Sequence, residues 1–172
     1  MPGVMVVSVE EYLSTPYRPD CDFVDGQVRG RNVGEYPHSR LQGRLVIWFG
    51  TRERDWKIRV LPEQRVRVSA RRFRIPDVCV VRRDLPIEPI FTQPPLICIE
   101  VLSKDDSLHS LQERVDDYLA SGVPNVWILE PVLRKGYICT QSGFNEPGDG
   151  ILRVAESRIH VPLAEVFAEM DQ

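Results

Sequence analysis

The chain has 172 residues, a formal net charge of −3, 42% hydrophobic and 27% charged residues. Those proportions fit one globular domain over 1–172 with a sizeable core and are too short for two ordinary ones. No apolar run approaches the ~20 residues that span a bilayer, and the segment Met1 to Val7 has no basic n-region, so no membrane partner and a cytoplasmic location are expected. In chain order, Ser8 followed by Glu11 forms a capping box that opens a short helix, which Pro16 and Pro19 end. Asp22–Val28 reads as a hairpin around the Asp25-Gly26 turn. A helix is expected over 35–54, with Leu41, Leu45 and Phe49 on one stripe. Strands follow at 57–60, 64–68 and 75–81, then a proline-rich loop over 84–95 and a strand over 96–102. Asp105 and Asp106 stand where a helix start favours negative charge. Leu108, Leu111, Val115, Tyr118 and Leu119 give the next helix its stripe, and Gly122 with Pro124 ends it. Strands at 126–129 and 137–140, a Gly-rich turn over 142–150 and a C-terminal helix from Val161 to Met170 complete the order. Two strands flanking a helix of about fifteen residues imply a right-handed βαβ crossover. The expected fold is α/β: a mixed sheet, antiparallel before the crossover, with helices on its faces.

Two acids interrupt apolar strands: Asp77 in Ile75–Val81 and Glu100 in Leu96–Leu102. A carboxylate in such a run is costly to bury without a partner. A divalent cation shared by both acids is one solution, and it supports phosphodiester hydrolysis. The other is that each acid ends its strand in water or in a salt bridge. The four cysteines form no C-x-x-C pair, and Cys79 and Cys98 lie inside the apolar strands, so they read as small hydrophobes.

Charge is unevenly spread. Residues 52–83 hold 11 basic and four acidic residues, whereas 1–51 net −1 and 84–172 net −9. Such asymmetry marks either a phosphate-facing surface or a solvated hairpin face. In Arg65-Val66-Arg67-Val68 the alternation puts both arginines on one face, toward solvent or ligand.

Pro76-Asp77 with Glu100 in Ile99-Glu100-Val101-Leu102-Ser103 resembles the PD-(D/E)XK nuclease superfamily. An ordered set narrows this. It comprises Cys21–Gly26, Pro37-His38-Ser39-Arg40-Leu41, Ile75–Val78, Pro94-Pro95-Leu96, Ile99–Ser103 and Tyr118–Pro124 leading to Trp127–Pro131. Over roughly residues 8–168 it is similar to the Uma-type restriction endonuclease family. The resemblance implies a restriction endonuclease-like fold and hydrolysis of nucleic acid, DNA first, with Mg²⁺ or Mn²⁺. Asp77, Glu100 and the carbonyl of Val101 would be the metal ligands. The superfamily's lysine should stand two residues after Glu100, where this chain has Leu102, and the family's displaced lysine matches Arg114. Arg114 and Lys104 are therefore the candidate catalytic cations; arginine can hold a phosphate but not act as a base. Asp22, His38 and Gln42 match supporting positions. Arg65, Arg67, Arg72 and Arg74 are the candidate nucleic-acid-binding residues. A homodimer is expected, since cutting both strands takes two sites. The alternative is a catalytically degenerate nucleic-acid-binding or protein-interaction module that keeps the fold.

Overall fold

The computed structural model describes residues 6–32 and 34–172. The stretch read as lacking a signal-peptide pattern falls mostly on residues 1–5, outside the described residues. Helix α1 (Val9–Ser14) starts as its capping box requires: the Ser8 hydroxyl accepts from the Glu11 N–H at 3.0 Å. Strands β1 (Cys21–Val24) and β2 (Gln27–Gly30) pair through a turn with Asp25 at φ 50° and Gly26 at φ 93°. Two left-handed residues give the turn whose twist matches the flanking strands.

Helix α2 (Tyr36–Gly50) is shorter than the expected 35–54. The Thr51 hydroxyl back-bonds to the carbonyls of Ile47 and Trp48, and the chain breaks into a separate turn of helix, α3 (Glu53–Trp56). Lys57, at φ 54°, then swings the chain into β3 (Ile58–Pro62). Next come β4 (Val66–Ser69), β5 (Arg72–Arg74) and β6 (Val78–Arg82). The sequence reading placed no strand at β5 and began the strand of Asp77 at Ile75. Pro76 separates them, because it has no N–H for the ladder.

Strand β7 (Ile97–Val101), helix α4 (Leu108–Ser121) and β8 (Asn125–Glu130) form the expected crossover, with β7 and β8 parallel. The cap of α4 is Ser107, which accepts from the Ser110 N–H at 3.0 Å; Asp105 and Asp106 lie in the preceding turn. Gly122, at φ 97°, closes the helix. Strands β9 (Lys135–Thr140) and β10 (Gly143–Asn145) follow, so the supposed Gly-rich turn contains a strand. A hairpin of β11 (Ile151–Arg153) and β12 (His160–Pro162) takes the start of the expected last helix, which runs as α5 (Leu163–Ala168) and a 3₁₀ turn.

The large sheet has the order β10-β9-β8-β7-β6-β3, and the smaller one β2-β1-β5-β4. Alternation along the central strands builds two cores. Val78, Val80, Ile97, Ile99 and Val101 face α2 and α5; Cys79, Val81 and Cys98 face Leu111, Val115 and Tyr118 of α4. Burying each such aliphatic side chain is worth about 1.5–3 kcal/mol. Among the described residues, no helix is long and apolar enough to cross a membrane.

Candidate active site

The register of β6 on β7 brings the two acids together. Val78 faces Ile99 and Cys79 faces Cys98 in antiparallel pairing. One step further along, Asp77 comes opposite Glu100, and both side chains fall on the α4 face, as partners across antiparallel strands do. Asp77 itself sits just before β6, at the point where Pro76 leaves the strand. Both acids are 4% exposed and wall one cavity of about 120 Å³, room for several waters.

Each carboxylate is held by identifiable donors. Asp77 Oδ2 accepts from the Val101 N–H at 2.7 Å, and Oδ1 accepts from Arg31 at 2.9 Å, with His38 Nε2 at 3.3 Å. Gln42 fixes the backbone, donating to the Asp77 carbonyl at 2.9 Å. Thus the N-terminal half of α2 positions Asp77 from behind. Glu100 Oε1 accepts from the Tyr118 hydroxyl at 2.6 Å, and Arg114 Nε stands 3.5 Å from Oε2. Arg114 is oriented in turn by Ser110 Oγ at 2.9 Å and Asp106 Oδ1 at 3.0 Å.

The environments push the two acids apart. Burial and the charge of Asp77 push the Glu100 carboxyl up to about 8, against the pull of Arg114. Burial also opposes ionisation of Asp77, but the His38 hydrogen bond and the Arg31 charge outweigh it and hold Asp77 below the usual range. Burial lowers His38, yet the bond to Asp77 prevails and raises it. The two acids thus sit in environments that pull in opposite directions: burial favours the protonated form of Glu100, and His38 with Arg31 favours the charged form of Asp77. Among the described residues, no set of three or more His, Cys, Asp or Glu side chains converges for a metal.

The remaining expected residues fall as follows. Arg114 is on the cavity wall. Lys104 is not: it is 65% exposed and pairs with Glu35 at 2.5 Å, because the turn after β7 carries it outward. Asp22 lines the cavity but is tied to Arg74 at 3.1 Å and to the Ile75 N–H at 3.2 Å. Burial raises its pKa, against Arg74.

Three of the four arginines expected on a nucleic-acid face are committed elsewhere. Arg74 is buried between Asp22 and Asp117. Arg72 joins Asp25, at 2.6 Å, to Asp117, at 2.8 Å. Arg65 forks onto Asp20 and covers the Tyr12 ring at 4.5 Å. The acids that fill this face come from β1 and its flanks (Asp20, Asp22, Asp25) and from α4 (Asp117), which alternation within β4 and β5 does not reveal. Arg67 alone is exposed, hydrogen-bonded to the turn carbonyls of Ser69 and Ala70. Sequence reasoning missed Arg31, which follows β2 in an unpatterned stretch; only its position one hairpin after Asp22 hinted at the cavity.

A mixed sheet with a parallel crossover, flanking helices and two acids at adjacent strand ends defines the restriction endonuclease-like class. The chain belongs to the Uma2 family, described as "Putative restriction endonuclease", whose model matches residues 9–153. It is similar to the crystal structure of "a putative nuclease belonging to DUF820" from Anabaena variabilis, with a TM-score of 0.83 and 20% identity over 95% of this chain and 99% of that one. At that identity the likeness is one of fold. A DrdV–DNA complex matches at a TM-score of 0.35 and 18% identity, over 78% of this chain and 13% of that one, and carries no argument. No curated protein matches.

Proposed function

We propose that this protein is a metal-dependent nuclease that hydrolyses phosphodiester bonds, with DNA as the first substrate to test. The observation that carries this reading is the convergence of Asp77 and Glu100 on one polar cavity, with Arg31 and Arg114 beside them. Two carboxylates and the neighbouring Val101 carbonyl form an oxygen donor set, which suits a hard cation such as Mg²⁺ or Mn²⁺. Asp77 accepts three hydrogen bonds or ion contacts and Glu100 two, which leaves lone pairs on both. When bound, the cation would acidify a water and offset charge on the scissile phosphate.

The chain's own residues supply positioning. Arg31, His38 and the Val101 N–H fix Asp77 in one orientation, and Tyr118 does the same for Glu100. Arg114, braced by Asp106 and Ser110, presents a fixed positive charge at the cavity wall. A phosphate entering there meets two guanidinium groups whose planar forks match its oxygens. Neither can take a proton from water, so their work is electrostatic.

A second reading has its own support. Leu102 stands where the superfamily has lysine, and both acids already have arginine partners, as in a degenerate module that binds nucleic acid without cutting. Plasmid, duplex and single-stranded DNA and RNA should be incubated with Mg²⁺, Mn²⁺ or EDTA. Cleavage that needs metal and disappears in Asp77→Ala is the expected result. Nucleic-acid binding without cleavage under any metal moves the chain to the second reading.

A further inference from the structure

The arginines expected to grip nucleic acid are mostly paired with acids, yet the segment that contains them still carries its excess of positive charge. A cluster of cations with few ion pairs lies elsewhere. Arg52, Arg54, Lys57 and Arg59 come from α3 and the start of β3, and Arg82 and Arg83 from the end of β6. Ile58 pairs with Arg82 in the sheet, so these two stretches meet, and the loop between β11 and β12 adds Arg158, which donates to the Asp55 carbonyl at 3.1 Å. Against these seven cations stand four acids: Glu53, Asp55, Asp84 and Glu156. The Glu53 carboxylate is spent on the Val60 N–H, at 2.8 Å. Among the described residues, Arg82 alone of the seven is in an ion pair, a loose one with Asp84 at 3.4 Å. In a chain whose net charge is −3, this end of the sheet is a positive patch.

The patch also has shape. Lys57, Arg82 and Arg83 rim a groove of about 810 Å³ whose walls include Trp56, Leu96 and Val154. Arg52 lies over the Trp48 ring at 3.6 Å and 5.6 Å from that of Trp56, and His160 tilts against Trp56 at 5.5 Å. Thus Trp56 is held at the groove by neighbours on one flank.

From this patch we infer a second nucleic-acid contact: Lys57, Arg82, Arg83 and Arg59 take backbone phosphates, and Trp56 offers an aromatic face to a base. Cations tracking phosphates beside an aromatic platform are the means by which proteins hold nucleic acid without reading sequence. The patch lies at the opposite end of β6 from Asp77, five residues along the strand, or about 17 Å at ~3.3 Å per residue. The groove draws on the core that faces α2 and α5, whereas the acids face α4, so the patch would hold nucleic acid at the sheet's far end and outside the cavity. The inference rests on the nuclease reading and assigns that reading a surface outside the cavity.

The test is binding of fluorescent 30-base-pair duplex and of a 30-nucleotide single strand in EDTA, followed by anisotropy from low to moderate salt. Wild type is compared with Lys57→Glu/Arg83→Glu, with Trp56→Leu, and with Lys135→Glu, a control on β9 across the sheet. The double variant is expected to bind about tenfold more weakly or worse at low salt, with its log–log salt slope reduced by about two, and the control to bind as wild type. Melting temperature checks that each variant folds. If wild type binds and the double variant binds equally well, the patch inference falls while the nuclease reading stands. If poly-glutamate displaces the oligonucleotide at equal charge and Trp56→Leu has no effect, the patch is a general polyanion surface and the inference is overturned. If wild type binds neither nucleic acid nor cleaves one with Mg²⁺ or Mn²⁺, both readings fall together.

Discussion

In the proposed nuclease, Arg114 is the cation placed to stabilise charge at a phosphate where the superfamily has lysine. Its side chain is largely buried, braced by Ser110 and Asp106 and aimed at Glu100. Removing it is expected to slow cleavage about 100-fold, the scale for one charge-stabilising donor. Arg114→Lys should retain activity, because the ammonium can occupy the same wall. Steady-state cleavage of a defined duplex checks both, and Arg114→Ala cleaving as wild type would remove the residue from the mechanism. Glu100 gives a prediction in pH. Its carboxyl is pushed up to about 8 in the native state, whereas an unfolded glutamate titrates near 4.5. Between those values the native state keeps a proton that the unfolded state has released, so stability of the metal-free protein falls as pH rises through that window and levels off above it. The loss is on the order of a few kcal/mol. Glu100→Gln should flatten the dependence, as followed by urea denaturation at pH 5 and pH 8. At this scale the acids were legible because a carboxylate stands out in an apolar run. Arg31 was not, since it sits in a stretch without periodicity. That Arg65, Arg72 and Arg74 are paired with acids was not legible, because alternation reveals a face but not the acids that other segments bring to it.

At the scale of elements, α4 ties stability to the site. Its stripe of Leu111, Val115 and Tyr118 anchors it on β7 and β8, and the same helix delivers the Tyr118 hydroxyl to Glu100 and Arg114 to the cavity. Ser107→Ala should cost about 1 kcal/mol, because the Ser110 N–H loses its cap. Tyr118→Phe should cost a similar amount in chemical denaturation, offset in part because Glu100 can keep its own proton. It should also weaken cleavage, by freeing the Glu100 carboxyl to turn. A Tyr118→Phe variant with wild-type activity would show that Glu100 needs no such fixing. The stripe and the C-terminal end of α4 were read in advance, the latter from Gly122 followed by Pro124, whereas the start was read from Asp105 and Asp106 and the cap is Ser107. The hairpin β11–β12 could not, because its strands are three residues each and its apolar positions, Leu152 and Val161, also suit a helix. Tertiary packing against β9 and α2 decided it.

At the scale of the molecule, the proposed reaction on a duplex would require one cavity per strand. Each chain offers one pair of acids, and a duplex has two scissile phosphates on antiparallel strands. A two-fold symmetric dimer presents two cavities related as those strands are, which is the commonest soluble assembly and the economical geometry for a paired cut. Exposed Val132 and Leu133, in the turn after β8, sit beside the groove that shares His38 with the site, so an apolar surface is available near the cavity mouth. Light scattering at micromolar concentration is therefore expected to give twice the monomer mass. The products carry the same information independently. A dimer that closes both cavities on one duplex converts supercoiled plasmid directly to linear DNA, with little nicked circle on the way. A monomer leaves the first strand cut and must rebind, so nicked circle accumulates before any linear form appears. Monomer mass together with nicked-circle accumulation would set the dimer aside and leave the one-cavity chemistry of Asp77 and Glu100 intact. Dimer mass with accumulating nicked circle would mean that the two cavities do not reach the same duplex.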